Sequence, residues 1–275
     1  MKHTRLAFIG AGNMTRSLIG GLIADGWDPG SISVADPDTS QLSAVTTRFQ
    51  VHTDTDNARV AADSDVVVLA VKPQIMRGVA LDLAAAAQKQ QPLIISVAAG
   101  IRTGDMQRWL GGACPLVRCM PNTPALVQSG ATAMFATAAV SSQQKDVAEN
   151  ILRAVGLALW VDEEDLMDAV TALSGSGPAY FFLVIEALQT AGQQLGLPAK
   201  TAKLLALQTA FGAAKMALES SDEAAVLRQR VTSPGGTTEK ALEVLENGKL
   251  GALFNKALTA ARDRSRELAR QFGAD

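Results

Sequence analysis

The chain has 275 residues, with 25 basic and 27 acidic side chains and a formal charge of −2, so no bulk field draws it to a phosphate backbone or an anionic membrane, and nucleic acid is excluded as a partner. Hydrophobic residues make up 48% and charged residues 19%, a globular balance at a length that suits two domains, each burying its own core without disulfides or metal. The two cysteines, Cys114 and Cys119, are five apart; they make neither a disulfide framework nor a four-ligand zinc site, and both are expected to be reduced and buried.

The N-terminus runs Met1-Lys2-His3-Thr4-Arg5 straight into Leu6-Ala7-Phe8-Ile9-Gly10, too short an apolar stretch for a signal peptide. Uninterrupted apolar stretches fall short of the ~18 residues a membrane span requires, and Tyr180–Ile185 is closed by Glu186. A soluble, cytoplasmic protein with no membrane partner is expected. Short β-branched runs at Leu6–Ile9, Ile32–Val34, Val66–Val71, Leu93–Val97 and Leu116–Cys119 read as buried strands, with helices between them around Met14–Ala24 and Ile75–Ala87. Strands buried on both faces and separated by helices imply a doubly wound α/β architecture with a parallel sheet. From about Asp162 the texture becomes helical, with long patterns over Pro178–Leu195, Ala199–Glu219 and Leu250–Phe272, which divides the chain into 1–161 and 162–275. The second of these helices carries a stripe of small residues from Ala202 to Ala217. That stripe suits close helix packing, either inside the chain or against a second copy.

Gly10-Ala11-Gly12-Asn13-Met14-Thr15 follows the first strand and opens a helix, where exposed N–H groups at a positive helix end meet a pyrophosphate. Thr15 stands where the dinucleotide fingerprint has its third glycine, so the motif alone is partial. Asp36 ends the second strand, 24 residues after Gly12. There an acidic side chain bonds a ribose 2′-OH and repels a 2′-phosphate, which favours NADH over NADPH; Asp36-Pro37-Asp38 is equally a turn and helix-start sequence. Ala70-Val71-Lys72-Pro73 and Ser96-Val97-Ala98-Ala99-Gly100 leave two strands at the same carboxyl edge, where Lys72 suits cofactor phosphate or ribose and the small residues suit a nicotinamide ring; both segments read equally as simple loops. Arg118-Cys119-Met120-Pro121-Asn122-Thr123-Pro124 fixes a further strand-end loop with two prolines.

In the second half, Leu173-Ser174-Gly175-Ser176-Gly177-Pro178-Ala179-Tyr180 reads as a helix start with proline in its first turn. Val231-Thr232-Ser233-Pro234-Gly235-Gly236-Thr237-Thr238-Glu239 precedes a helical stretch at Lys240–Leu245, and its consecutive glycines promise a concave array of N–H donors for a carboxylate, flanked by hydroxyls. The histidines, His3 and His52, both lie in the first half and away from the strand-end loops, which disfavours a histidine-dependent hydroxy-acid dehydrogenase. No metal-ligand cluster, nucleophile elbow or ATP-type phosphate loop occurs.

Taken in order, these motifs resemble the pyrroline-5-carboxylate reductase family over almost the whole chain. The glycine turn is shared by many dehydrogenases, whereas Gly175–Tyr180 and Thr232–Thr238 are specific to this family. The resemblance implies an N-terminal Rossmann doubly wound sheet followed by an all-helical C-terminal dimerisation domain that interlaces with its twin, with dimers assembling further, up to five in a ring. It implies that NADP or NAD is held by Gly10, Ala11, Gly12, Asn13 and Met14, by Asn57, by Ala70, Val71, Lys72 and Pro73, and near the nicotinamide by Ala98 and Ala99; Asp36 joins them on its place at the end of the second strand alone. It implies that 1-pyrroline-5-carboxylate is held by Ser233, Gly235, Gly236, Thr237 and Thr238, with Glu164 on the substrate side and Thr238 facing the ring nitrogen. The departures are Thr15, where alanine is usual, and Asp36, which puts cofactor choice in doubt. A β-hydroxyacid dehydrogenase would need a catalytic lysine on the helix after Ser176-Gly177, and none occurs through Gly196. A non-catalytic dinucleotide sensor would not need the Ser233–Thr238 anion site.

Overall fold

The computed structural model describes residues 4–273; His3, one of the two histidines weighed above, lies outside them. The strands are β1 (Leu6–Ile9), β2 (Ile32–Ala35), β3 (His52–Asp54), β4 (Val66–Leu69), β5 (Leu93–Ser96), β6 (Leu116–Met120), β7 (Gly130–Ala136) and β8 (Gly156–Trp160). The helices are α1 (Asn13–Ala24), α2 (Thr39–Phe49), α3 (Asn57–Ala62), α4 (Pro73–Gln90), α5 (Thr103–Trp109), α6 (Ser142–Arg153), α7 (Leu166–Val170), α8 (Gly177–Gln194), α9 (Ala199–Glu219), α10 (Ala224–Arg230), α11 (Thr237–Asn247) and α12 (Leu250–Gly273). All eight strands form one sheet in the order β3-β2-β1-β4-β5-β6-β7-β8. It is parallel from β3 to β6; β7 runs antiparallel to β6, and β8 parallel to β7.

Both faces of the sheet are covered, which is why its central strands can be apolar at every position. Leu6 and Phe8 of β1 point into a core shared with Leu18 and Leu22 of α1, Val45 of α2 and Ile151 of α6. Ala7 and Ile9 point the other way, into a core with Met76 and Leu83 of α4 and Trp109 of α5. Three strands escape the sequence reading. β3 is short and polar and forms one edge, β7 is rich in alanine, and β8 forms the other edge with Leu157 and Leu159 exposed.

The chain divides into two compact units, one comprising the residues up to Ser176 together with those from Ala260 onward, the other Gly177–Thr259. In the second unit α8 and α9 pack closely where Gly192 meets Ala202. Little else is covered. α10 and α11 bury no residue, and Phe181, Phe211 and Leu218 are 67%, 61% and 85% exposed.

The helix start expected at Pro178 is present, since α8 begins at Gly177 with Pro178 in its first turn, and Leu166–Gln194 together make a helical run of 29 residues. A π turn at Thr171–Gly175 carries it past the serines and glycines, with the Ser176 N–H donating to Thr171 O at 2.8 Å. Proline lacks the N–H that would reach back one turn. The carbonyl of Ser174, which that N–H would have met, instead accepts from Asn122 Nδ2 at 3.2 Å.

Candidate active site

The strand order reverses between β1 and β4, and the loops leaving these two strands frame the crevice in which open α/β sheets bind ligands. Gly10 has φ +103°, and a Cβ there would stand 2.7 Å from the carbonyl oxygen of Ala70, so only glycine lets the two strand ends approach. Gly12 differs. It caps α1 without a side-chain bond, and a Cβ on it would meet nothing within 4 Å, leaving open space before the positive end of a 12-residue helix. Asn13 and Met14 form the first turn of that helix. The departure at Thr15 has a physical reason: the side chain is fully buried and its hydroxyl donates to Gly10 O at 2.6 Å.

Asp36 and Asp38 divide the two roles foreseen for Asp36-Pro37-Asp38. Asp38 caps α2, accepting from the amides of Ser40 and Gln41, and the Ser40 hydroxyl holds its carboxyl below the usual carboxylate range. Asp36 reaches the glycine turn, where the Ala11 N–H donates to its Oδ2 at 2.7 Å. Asn57 opens α3, and its Oδ1 is buried without a partner. Such an orphaned acceptor is costly unless a ligand donor reaches it.

A cavity of about 360 Å³ joins several of the sequence-predicted segments: Met14, Ala70–Lys72, Ala99 and the 120–123 loop line it, with Gly175. Ala98 lies beneath, buried, and Pro73 begins α4. Asn122 sets this wall. Its Nδ2 also reaches Ser174 Oγ at 3.3 Å, while its Oδ1 accepts the Ala131 N–H at 2.9 Å. Behind the Val97–Gly100 loop, the Phe272 ring would stand 3.5 Å from a Cβ at Gly100. His52 lies elsewhere, in a cavity of about 240 Å³ at the amino edge of the sheet.

Glu164 is engaged within its own unit. Its Oε1 accepts the Thr103 N–H at 2.8 Å and Arg118 Nη1 at 2.9 Å, and its Oε2 accepts the Thr103 hydroxyl at 2.7 Å. Arg118 is 4% exposed. A second knot, unforeseen in the sequence, centres on buried Asp168, which accepts the Ser265 hydroxyl at 2.7 Å and has Arg102 and Arg266 3.8 Å away. Both cysteines are buried; desolvation pushes the Cys114 thiol up to about 11 and that of Cys119 still higher, so neither offers a thiolate near neutrality.

In the second unit, Gly236 caps α11, which begins three residues earlier than the helical stretch expected at Lys240. The donor array is narrower than consecutive glycines suggest. The Gly235 N–H donates to Glu239 Oε2 at 2.7 Å and the Gly236 N–H to Ser233 O at 3.0 Å. The first-turn amides of Thr237 and Thr238 remain for an anion. Ser233 and Thr237 are exposed, Thr238 is half-buried, and no hydrogen bond within the described residues engages the Thr238 hydroxyl.

A switch-point glycine turn with open space at its helix, joined in one chain to a helical unit with uncovered apolar faces, defines a self-associating NAD(P)-dependent oxidoreductase. The family model for pyrroline-5-carboxylate reductase dimerisation matches residues 164–268, and that for NADP oxidoreductase, coenzyme F420-dependent, matches residues 5–100. The pyrroline-5-carboxylate reductase of Pseudomonas aeruginosa is 52% identical over 273 residues, covering 99% of this chain and 100% of that one. The solved pyrroline-5-carboxylate reductase of Coxiella burnetii has a TM-score of 0.94 at 50% identity, covering 97% of this chain and 98% of that one. That of Plasmodium falciparum, with NADP bound, has a TM-score of 0.85 at 30% identity, covering 98% and 99%. The chain belongs to the pyrroline-5-carboxylate reductase family.

The dimerisation match spans the unit whose apolar side chains lie open. It also includes the whole of Leu166–Gln194, which by length and composition is apolar enough to cross a membrane. The expectation of no membrane span rests on uninterrupted apolar stretches, with Tyr180–Ile185 closed by Glu186; the helical run is longer than any of them.

Proposed function

We propose that this chain reduces 1-pyrroline-5-carboxylate to L-proline, the last step of proline biosynthesis, in the cytoplasm and without a membrane partner. Its working form in this reading is a homodimer that assembles further into a ring of five. The observation that carries the reading is the coexistence of the open turn at Gly12 with a hydroxyl-flanked helix start at Ser233–Thr238. The functional division falls at 161/162, close to where the dimerisation match begins.

The residues fit a dinucleotide: Gly12 leaves room for it, and the buried Oδ1 of Asn57 lacks a donor. Gly10, Ala11, Gly12, Asn13 and Met14 would hold its pyrophosphate, Asp36 and Asn57 the adenosine side, Ala70, Val71, Lys72 and Pro73 the phosphate and ribose, and Ala98 and Ala99 the nicotinamide. When bound as NADH or NADPH, it supplies the hydride that adds to the imine carbon. The chain binds and orients the substrate. The Ser233 hydroxyl and the Thr237 and Thr238 amides hold the substrate carboxylate in a turn shaped by Gly235 and Gly236, and the Thr238 hydroxyl bonds the ring nitrogen. A protonated imine is already electrophilic, so no strong general acid is required. Glu164 serves the reaction by fixing Thr103 and Arg118 beside the Val97–Gly100 loop.

Dinucleotide consumption with and without 1-pyrroline-5-carboxylate, with proline measured as product, tests the reaction; consumption that does not depend on the imine overturns it. Thr238 is tested in the same assay. Thr238→Ala is expected to lower kcat by ~10²-fold, the effect of losing a preorganised donor at a reacting centre, and Thr238→Ser to recover most of it. A normal kcat in the Ala variant with a lowered melting temperature would reduce Thr238 to a helix-stabilising residue.

A further inference from the structure

We infer that Asp36 is a positioning residue for the dinucleotide turn, whose loss weakens the binding of both NADH and NADPH. The carboxylate leaves the end of β2 and bridges to the loop after β1, accepting the Ala11 N–H on Oδ2 at 2.7 Å and the Asp38 N–H on Oδ1 at 2.9 Å. The preceding amide, that of Gly10, donates to Ala35 O at 2.7 Å. Two consecutive N–H groups of the turn are thus held by two consecutive residues of the neighbouring strand end, while Thr15 holds the Gly10 carbonyl from the helix side. Ala11 is fully buried, and among the hydrogen bonds of the described residues its N–H is met by the Asp36 carboxylate. The turn keeps its shape, and the amides from Gly12 onward keep their aim at a phosphate, because the acidic side chain anchors its middle.

A ribose contact alone would make Asp36 a selector between the two cofactors. Each carboxylate oxygen has a second acceptor site, so anchoring the turn leaves room for a ribose hydroxyl; the two roles coexist and are separable by substitution. Alanine removes both the anchor and the charge. Asparagine keeps a carbonyl oxygen for the Ala11 N–H, while its NH2 group gives up the Asp38 N–H bond together with the charge that opposes a 2′-phosphate.

The inference rests on the glycine turn being the dinucleotide site, and the test keeps the two apart. Dissociation constants of NADH and NADPH are measured by the fluorescence of the reduced nicotinamide for the wild type, Asp36→Ala and Asp36→Asn, with kcat/KM for both cofactors alongside. Asp36→Ala is expected to weaken NADH binding by about tenfold or more, as for the loss of a hydrogen bond to a charged group, and NADPH binding by less, because the repulsion of its 2′-phosphate goes with the anchor. Asp36→Asn is expected to restore NADPH binding to the wild-type level or better. An alanine variant that loses NADH alone while NADPH binds as well as before, or an asparagine variant no better than alanine, overturns the positioning role. A wild type that binds neither dinucleotide overturns the cofactor reading itself.

Discussion

Deleting the carboxylate of Glu164 leaves the Arg118 guanidinium, 4% exposed, without its anion and takes three hydrogen bonds from Thr103 and Arg118 at once. Breaking one side of a buried ion pair costs about 3–5 kcal/mol because the remaining charge stays desolvated, and Glu164→Ala belongs at that level. Glu164→Gln keeps the shape and one acceptor oxygen and forfeits the charge assistance, for about 1.5–3 kcal/mol. Replacing both partners, Glu164→Leu with Arg118→Met, removes the stranded cation and should be less destabilising than the Ala single variant. Urea unfolding at fixed protomer concentration measures these differences, since self-association makes apparent stability depend on concentration. Substrate KM and kcat are read on the same preparations. The expected pattern is a lowered unfolding midpoint for Glu164→Gln with substrate KM shifted less than threefold. A Gln variant with an unchanged midpoint and a substrate KM raised more than tenfold would refute this reasoning and return Glu164 to direct contact with substrate.

Dilution followed by sedimentation should find a dimer or larger assembly wherever the chain is active, because a single copy leaves Phe181, Phe211 and Leu218 open to water; a stable, active monomer would contradict this. Gly12→Ala should change unfolding stability by about 1 kcal/mol or less, as an N-cap substitution with no clash does, since the new methyl meets nothing in the protein. The same methyl should raise the dinucleotide dissociation constant at least tenfold, and an unchanged constant would show that the turn is not the phosphate site.

What the sequence made legible follows from how local each determinant is. β1 and β4 are apolar throughout because covered strands have no polar face, β2, β5 and β6 are mostly so, and a helix-opening glycine turn directly after the first strand points to the switch point before any coordinates do. β8 is harder to see: an edge strand with exposed Leu157 and Leu159 obeys no buried alternation. The pairs that hold the site together leave no pattern at all, since Arg118 lies 46 residues from Glu164 and Asp168 lies 97 from Ser265. Pro178 shows the limit most clearly. A local rule makes proline a helix start, because a proline further in strands the carbonyl one turn back. Here that carbonyl, Ser174 O, has a donor in Asn122, on the loop after β6. A side chain 52 residues away therefore satisfies the carbonyl that the proline in the first turn of α8 leaves without a donor. The same side chain lines the cavity framed by the glycine turn and holds Ala131 as well. The two-proline loop after β6 thus fixes a residue that lines the cavity and also satisfies the π turn preceding α8.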